Sequence, residues 1–220
     1  MSLHIAAYKD DLVVLSTDSR ISQYRFRQYS PDSEPVCVEA IADDNQEKIF
    51  MFQDRIGVTV SGIFDVEDTT VPAHMAAFFQ ENEKDSPDVE TLSHRLLHSF
   101  DRYAEKPETC FHIAGMTQGK PVIFRVIVCR QTVEKFEVTR PGAIFNGSVG
   151  VLNRLLADRE RFPVDFSTRE GVVKFARDAI AITAREEPLQ HGIRSVGGPI
   201  DMIAIDRDGA HWLQHKNHLL

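Results

Sequence analysis

The stretch Ser2–Arg20, which reads SLHIAAYKDDLVVLSTDSR, decides the fold. Two runs of apolar and β-prone residues, Leu3–Tyr8 and Leu12–Thr17, flank the turn signal Lys9-Asp10-Asp11, and this pattern predicts a β-hairpin. The hairpin begins almost at the first residue, so we expect no targeting peptide or leader ahead of it. A strand that starts this early holds the residue before it in place, because the chain terminus is tied into a sheet.

Ser2 is the residue that this hairpin would hold. If Met1 is removed, Ser2 carries a hydroxyl and a free α-amine on the same residue. A hydroxyl is a weak nucleophile and requires an adjacent base, and a free α-amine has a reference pKa of about 7.7–8.0. Ser2 would then supply both the nucleophile and the base of a hydrolytic reaction.

Composition limits the classes of protein to which the chain can belong. The 220 residues are 42% hydrophobic and 26% charged, as in an ordinary globular protein, and the length favours one domain, residues 1–220. A net charge of −8 without a basic run argues against a nucleic-acid partner. The longest apolar stretches, such as Val122–Cys129, are too short to span a membrane. We therefore expect a cytoplasmic protein with no nucleic-acid and no membrane partner.

The cysteines and histidines form no recognisable metal motif. Cys37, Cys110 and Cys129 are an odd number without metal-ligand spacing, and we interpret them as reduced core residues. Two histidine pairs share a face of a helix or a strand without completing a ligand set: His94 with His98, and His211 with His215. We interpret these histidines as surface residues. We expect no metal and no organic cofactor.

Strand patterns and helix patterns alternate along the rest of the chain. Strands are predicted at Lys48–Phe52, Ile56–Val60, Cys110–Met116, Val122–Cys129, Thr132–Val138, Ala143–Phe145 and Ile200–Ile205, with a short strand at Val36–Ile41 in the otherwise irregular segment 21–47. Helices are predicted at about 66–82, from Ser86 and Pro87 to Pro107, after Asn146-Gly147, and after the capping box Ser167–Glu170.

The order of these elements predicts the fold class. Hairpins at both ends and in the middle of the chain favour antiparallel sheets over parallel βαβ units. Two pairs of helices and two antiparallel sheets predict an α+β fold of four layers, αββα, with the helices outside and the sheets packed within.

Four phrases of the sequence resemble the N-terminal-nucleophile (Ntn) hydrolases, and specifically the β-type subunits of the proteasome and bacterial proteasome-like peptidases. The phrases are Ser2–Arg20 with its Thr17-Asp18-Ser19-Arg20, Lys48–Phe50 followed by Ile56–Gly62, Gly147–Gly150 before a helix, and Gly197–Asp201 before the final hairpin. The resemblance covers most of the chain and implies the four-layer Ntn-hydrolase fold.

The resemblance implies a catalytic role for five residues. Ser2 falls where the family has its catalytic N-terminal threonine, Asp18 falls on an aspartate that orients a lysine, and Lys48 falls on that lysine. Gly62, fourteen residues after Lys48, falls where a backbone N–H forms the oxyanion hole, a contact worth about 3–4 kcal/mol in comparable sites. Ser148 falls near the serine that supports the terminal amine. A protonated Lys48 would keep that amine uncharged and available as a base.

The chain departs from the family at three points. The nucleophile is serine, whereas the family usually has threonine. The segment 21–47 is longer than the usual connection between the aspartate and the lysine. The family also has an aspartate shortly before its late glycine pair, whereas Ile193–Val196 contains none. Glu186 or Glu187 substitutes for it, or no residue does.

Taken one at a time, the same residues fit simpler roles. Asp18 could cap a turn, Lys48 could be a solvated charge at the end of a strand, and Ser148 could bind backbone groups at the start of a helix. Asn146–Gly150 also nearly matches the G-x-S-x-G nucleophile elbow, but the first glycine is replaced and the parallel strand–helix alternation is missing. The common register of these residues with Gly62 favours the proteasome-like interpretation.

Three functions are compatible with the sequence. The first is a serine-type peptidase that assembles with identical subunits into a ring or an open array, acts on polypeptides and works with an ATPase unfoldase. The second is a structural subunit without activity, which a retained Met1 and the missing aspartate would favour. The third is an Ntn amidohydrolase that acts on small amides.

Overall fold

The computed structural model of the protein describes residues 2–158, 160 and 162–216. The strands are β1 (Leu3–Lys9), β2 (Leu12–Asp18), β3 (Ile21–Arg27), β4 (Val36–Asp43), β5 (Ile49–Phe52), β6 (Ile56–Gly62), β7 (Asp65–Val66), β8 (Thr69–Thr70), β9 (Thr109–Thr117), β10 (Lys120–Ile127), β11 (Thr132–Phe136), β12 (Gly142–Gly147), β13 (Ile200–Asp206) and β14 (Gly209–Gln214). The helices are α1 (Val71–Asn82), α2 (Val89–Ser99), α3 (Gly150–Ala157) and α4 (Arg169–Glu186). None of these helices is long and apolar enough to cross a membrane.

Two five-stranded antiparallel sheets contain most of the strands. Sheet I has the strand order β12-β1-β2-β13-β14, and sheet II has the order β11-β10-β9-β6-β5. The pairs β3–β4 and β7–β8 form separate two-stranded sheets. The prediction of an α+β fold with antiparallel sheets and four helices is confirmed, and each strand predicted outside the segment 21–47 is present with small differences at its ends.

The hairpin predicted from the first stretch of sequence is also confirmed. β1 and β2 pair antiparallel, from His4 opposite Thr17 to Lys9 opposite Leu12. β12 pairs with the free side of β1, and β13 pairs with the free side of β2. The hairpin therefore lies inside sheet I, and its residues are almost all buried.

Apolar side chains form three clusters on the faces of the two sheets. Sheet II packs against α1 and α2 in a cluster that includes Phe111. Sheet I packs against α3 and α4 in a second cluster, which includes Ala176. The third cluster contains residues of both sheets, such as Leu15 of sheet I and Ala114 of sheet II. Because strand side chains alternate between the two faces, each sheet buries apolar residues on both sides.

The first two helices begin later than predicted. α1 starts at Val71 instead of near residue 66, because residues 65–70 include the strand pair β7–β8. The N-cap of α2 is Asp88 instead of Ser86, since the Asp88 carboxylate accepts a hydrogen bond from a backbone N–H of the first turn at 2.8 Å. A carboxylate accepts more strongly than a hydroxyl and also interacts favourably with the helix dipole.

Two other helix ends differ from the prediction as well. α2 ends at Ser99 and continues only as a single 3-10 turn, so it does not reach Pro107. Thr168 is the N-cap of α4 in place of Ser167, and its Oγ1 accepts from the Gly171 N–H at 3.0 Å. The Ser167 hydroxyl instead donates to a neighbouring carboxylate.

The prediction of an irregular segment 21–47 was wrong. β3 and β4 form an antiparallel ribbon that pairs with no other strand among the described residues. The predicted short strand at Val36–Ile41 is present as β4, but its partner β3 was missed because polar residues dominate it. Most residues of the ribbon are exposed, including Phe26 and Val38, so the hydrophobic pattern that marks a buried strand is weak here.

The prediction that all three cysteines lie in the core was wrong for two of them. Cys110 is buried in β9, but Cys37 is only partly buried on the ribbon and Cys129 is exposed between β10 and β11. All three are free thiols. The predicted surface position of the helical histidines is correct, since His94 and His98 are exposed on α2.

Candidate active site

Ser2 lies directly before β1 and contacts Lys48. The Lys48 Nζ donates to the Ser2 Oγ at 2.7 Å and lies 3.3 Å from the Asp18 Oδ2. It also donates to the carbonyl oxygen of Arg20. The side chains of Lys48 and Asp18 have no exposed surface, so the interpretation of Lys48 as a solvated charge is wrong. The structure brings three of the predicted site residues into direct contact.

Asp18 is held at the end of β2 by backbone groups from three parts of the chain. Its Oδ1 accepts from the Leu3 N–H at 3.1 Å, and its Oδ2 accepts from the N–H groups of Arg20 and Gly197 at 3.1 Å each. Leu3 follows Ser2, and Gly197 belongs to the late glycine pair. Asp18 therefore fixes Lys48 relative to the strand that carries Ser2.

Burial moves the pKa values of the two charged groups in opposite directions. Burial lowers the pKa of Lys48, and the nearby Asp18 carboxylate opposes this change. Burial raises the pKa of Asp18, and Lys48 and three backbone N–H groups oppose it. Each group thus stabilises the charged form of the other in the protein interior.

Gly62 ends β6 beside Ser2. Its φ is +108°, and a Cβ at this position would lie 2.0 Å from the carbonyl oxygen of Glu108, so only glycine fits. Gly62 and Ser2 together line two cavities. One, of about 370 Å³, extends towards Ile21–Gln23 of β3. The other, of about 440 Å³, extends towards Arg125 of β10. Both cavities therefore border Ser2.

Ser148 approaches the main chain of Ser2 and belongs to a hydrogen-bonded chain. Its backbone N–H donates to the Ser2 carbonyl oxygen at 2.8 Å, and its Oγ lies 2.8 Å from the Ser195 Oγ. The Ser195 Oγ donates to the Glu187 Oε1 at 2.7 Å. The Glu187 Oε2 accepts from the N–H groups of Ser195 and Val196 at 2.7 and 2.9 Å.

This series of hydrogen bonds bears on two points that the sequence leaves open, the glutamate near the late glycine pair and the role of Ser148. Glu187, not Glu186, occupies the region before the late glycine pair and accepts these hydrogen bonds. Ser195 was missed, although it lies two residues before the glycine pair, because only an aspartate was sought there. Ser148 does not cap α3, whose N-cap is Val149 without a side-chain hydrogen bond, so its interpretation as a backbone-binding helix residue is wrong.

Gly147 permits the close approach of β12 to Ser2. Its φ is +99°, and a Cβ would lie 1.7 Å from the Ser2 carbonyl oxygen. β12 pairs antiparallel with β1, whereas a nucleophile elbow follows a parallel strand. The elbow interpretation of Asn146–Gly150 is therefore wrong.

Sequence reasoning also missed a buried cluster of His4, Cys110 and His112 between the two sheets. Potential ligand atoms of the three residues lie within 4.8 Å of one another. The imidazole rings are stacked, with centroids 4.1 Å apart and 5° between their planes. An imidazole lone pair lies in the plane of its ring, so two parallel stacked rings cannot both direct a lone pair at one ion. The His4 nitrogens instead contact Thr59 Oγ1 at 2.9 Å and Ser61 Oγ at 3.2 Å.

No protein-family model matches this chain, and no curated protein matches it. The removal of Met1, on which a free α-amine of Ser2 depends, lies outside the described residues.

Proposed function

We propose that the protein is a proteasome-like Ntn peptidase in which Ser2, exposed as the first residue by removal of Met1, is the nucleophile. The observation that carries this proposal is the 2.7 Å contact between the Lys48 Nζ and the Ser2 Oγ. A lysine without exposed surface is costly to bury and requires compensation by a carboxylate, which Asp18 supplies at 3.3 Å. Such an arrangement is typical of an activated hydroxyl.

The reaction divides into two proton-balanced steps. The α-amine of Ser2 takes the proton of the Oγ, directly or through one water, while the Oγ attacks the carbonyl carbon of a peptide bond. The C–N bond then breaks, the departing amine takes the proton from the Ser2 ammonium, and an ester remains on Ser2. A water molecule loses a proton to the amine and attacks this ester. The ester C–O bond then breaks, the Ser2 Oγ takes that proton from the ammonium, and the carboxylic acid is released.

The surrounding groups stabilise or disfavour the charges that form on the substrate oxygen, the Ser2 Oγ and the α-amine during the reaction. The Gly62 N–H is assigned to the oxygen that becomes negative as the carbonyl is attacked. Lys48 stabilises the developing alkoxide through its hydrogen bond and, while protonated, disfavours charge on the α-amine. The chain from Glu187 through Ser195 to Ser148 is assigned to the support of the Ser2 main chain. No metal and no organic cofactor is required by this chemistry.

The fold and assembly belong to the same proposal. The three apolar clusters support a four-layer αββα sandwich, because each sheet meets helices on one face and the other sheet on its second face. We assign residues 1–220 to one such domain. Polypeptide substrates, a cytoplasmic location, assembly of identical subunits into a ring or an open array, and an ATPase unfoldase partner follow from the sequence resemblance alone.

The first experiment determines the mass of the N-terminal peptide of the untagged protein. Ser2 as the first residue is expected, and a Ser2→Ala variant should then keep its fold and lose peptide hydrolysis by at least about 10³-fold. An uncleaved Met1 throughout, or a Ser2→Ala protein as active as wild type, would end the proposal. Turnover of small amides without cleavage of peptides would favour an amidohydrolase instead. A stable assembly that does not react with N-terminal-nucleophile inhibitors would favour a structural subunit.

A further inference from the structure

A second buried lysine–aspartate pair lies close to the first. The Lys216 Nζ lies 3.0 Å from the Asp201 Oδ2, and the two side chains are 4% and 0% exposed. The backbone N–H of Lys216 also donates to the Asp201 Oδ1 at 2.7 Å. Asp201 lies in β13 opposite Thr17, one residue before Asp18 in β2. The second pair therefore adjoins the strand end that carries the first pair.

Lys216 connects the two chain segments that converge on Lys48. Its Nζ donates to the Gln46 carbonyl oxygen at 2.7 Å and contacts the Ser19 Oγ at 3.5 Å. The Ser19 Oγ donates to the Asp201 Oδ2 at 3.3 Å, and the Gln46 N–H donates to the Ser19 carbonyl oxygen at 3.0 Å. These bonds hold Ser19, which precedes Arg20, against Gln46, which lies two positions before Lys48.

This arrangement bears on Lys48 in two ways. The Arg20 carbonyl oxygen accepts a hydrogen bond from the Lys48 Nζ, so the position of Ser19 determines where that acceptor lies. Gln46 determines where the chain enters β5 and hence where the lysine side chain starts. A buried ion pair is weak evidence for a role in stability, because an apolar replacement of such a pair is often neutral or stabilising.

We infer that Asp201 and Lys216 are positioning residues for Lys48, which hold its ammonium on the Ser2 hydroxyl and place a second positive charge beside it. This inference rests on the proposed function. It adds to that function a second buried charge pair that sets both the place and the protonation of the lysine.

The charges that face Lys48 come from four parts of the chain. Asp18 of β2 and Asp44, after β4, raise the pKa of Lys48, and Lys216 lowers it together with burial. Asp44 is itself paired with Arg20. His4 of β1 also faces Lys48, but burial holds the pKa of His4 well below its ordinary value and keeps the ring neutral. Removal of the Lys216 charge should therefore raise the pKa of Lys48.

The test compares three variants of the full-length protein. Lys216→Gln removes the positive charge and keeps hydrogen-bond donors near Asp201, and Lys216→Arg keeps the charge. Lys174→Met/Asp178→Asn is the matched control, since this lysine–aspartate pair lies on α4 and involves an exposed lysine. If the first variant does not fold, Lys216→Met takes its place, because its side chain fills the space of the lysine stem.

Two measurements are made on each variant. The first is an NMR titration of ¹³Cε-labelled lysines, with the Lys48 signal identified by its loss in Lys48→Arg. The second is the pH profile of kcat/KM for a fluorogenic peptide. In the charge-removal variant we expect the Lys48 midpoint and the alkaline limb of the profile to rise by about 0.5–1 pH unit, with kcat lowered and KM unchanged. Lys216→Arg should retain the wild-type midpoint, and the control pair should change nothing.

An unchanged Lys48 midpoint in the charge-removal variant would overturn the inference. The NMR titration needs no turnover, so it separates this result from a failure of the proposed function. A shifted midpoint in a protein that neither cleaves peptides nor reacts with N-terminal-nucleophile inhibitors would support the placement of Lys216 beside Lys48 and refute the peptidase.

Discussion

The two hairpins at the start of the chain have similar lengths and opposite surroundings. β1 and β2 are paired on their outer sides with β12 and β13, and nearly every residue of the hairpin is buried. β3 and β4 follow directly and, within the part of the chain that the structure describes, pair only with each other, and most of their residues are partly or fully exposed. Both are antiparallel pairs of strands, so the difference arises from what packs around them.

This difference assigns the hairpins distinct tasks. The first fixes Ser2 and Asp18 through strands on both sides and helices on one face, which is what the proposed reaction would require, since small displacements cost activity. The second contributes Ile21–Gln23 to the wall of the cavity beside Ser2. Few buried contacts constrain that wall, so the ribbon should tolerate substitutions that the first hairpin does not.

The largest effect is expected where β12 meets the first hairpin. Gly147→Ala should lower kcat/KM more than about 10²-fold, because the new Cβ would lie 1.7 Å from the Ser2 carbonyl oxygen and displace the nucleophile. Gly150→Ala is the matched control, since a Cβ there meets nothing within 4 Å. Steady-state kinetics of both variants makes the comparison, and equal activities would contradict the proposed role of this close approach.

A smaller loss should follow when the chain that supports Ser2 is weakened. Glu187→Gln removes the charge that accepts from Ser195, and we expect kcat to fall about 10-fold with little change in KM. Glu186→Gln is the neighbouring control and should retain wild-type kcat. If the two variants lose activity equally, Glu187 does not hold the place of the family's missing aspartate.

Acid should destabilise the sheet interface through its buried histidines. Burial lowers the pKa of His112 from 6.5 to about 3, and it lowers the pKa of His4 as well. The unfolded chain binds protons near pH 6.5 while the folded protein does not, so the stability present above pH 6.5 is lost as the pH falls. His112 should contribute a slope of about 1.2 kcal/mol per pH unit between pH 6 and 5, and His4 should act in the same direction.

Urea unfolding at several pH values measures this slope. His112→Asn should reduce it, because an amide does not titrate. A slope identical in wild type and His112→Asn would show that His112 is not held neutral in the folded protein.

The smallest effects, on the free energy of unfolding, are expected from matched substitutions in the two hairpins. Val14→Thr in β2 places a hydroxyl where the side chain has no exposed surface, and it should lower the free energy of unfolding by about 1–3 kcal/mol. Val38→Thr in β4, which is 46% exposed, should change it by less than about 0.5 kcal/mol. Chemical denaturation gives both values, and similar losses would mean that the ribbon is packed as firmly as the hairpin.

Local patterns in the sequence were sufficient to predict the first hairpin, most strands and the existence of four helices. Periodic apolar residues and turn signals act over a few positions, so they can be recognised without knowing what packs around them. The same patterns failed for β3, where exposure removes the apolar alternation, and for helix starts, where neighbouring side chains compete to cap the same N–H groups.

The contacts of Lys48 with Ser2 and Asp18 were also predicted, because the resemblance to the Ntn hydrolases relates residues that lie far apart in the sequence. Glu187 was one of three possibilities that the sequence left open, and Ser195, the stacked His4 and His112, and the Asp201–Lys216 pair were not predicted. No local pattern in the sequence brings these partners together. Only the register of the two sheets and the packing of β13 against β2 decided which of these polar groups meet, because a buried polar group acquires its role from the partner that the fold places opposite it.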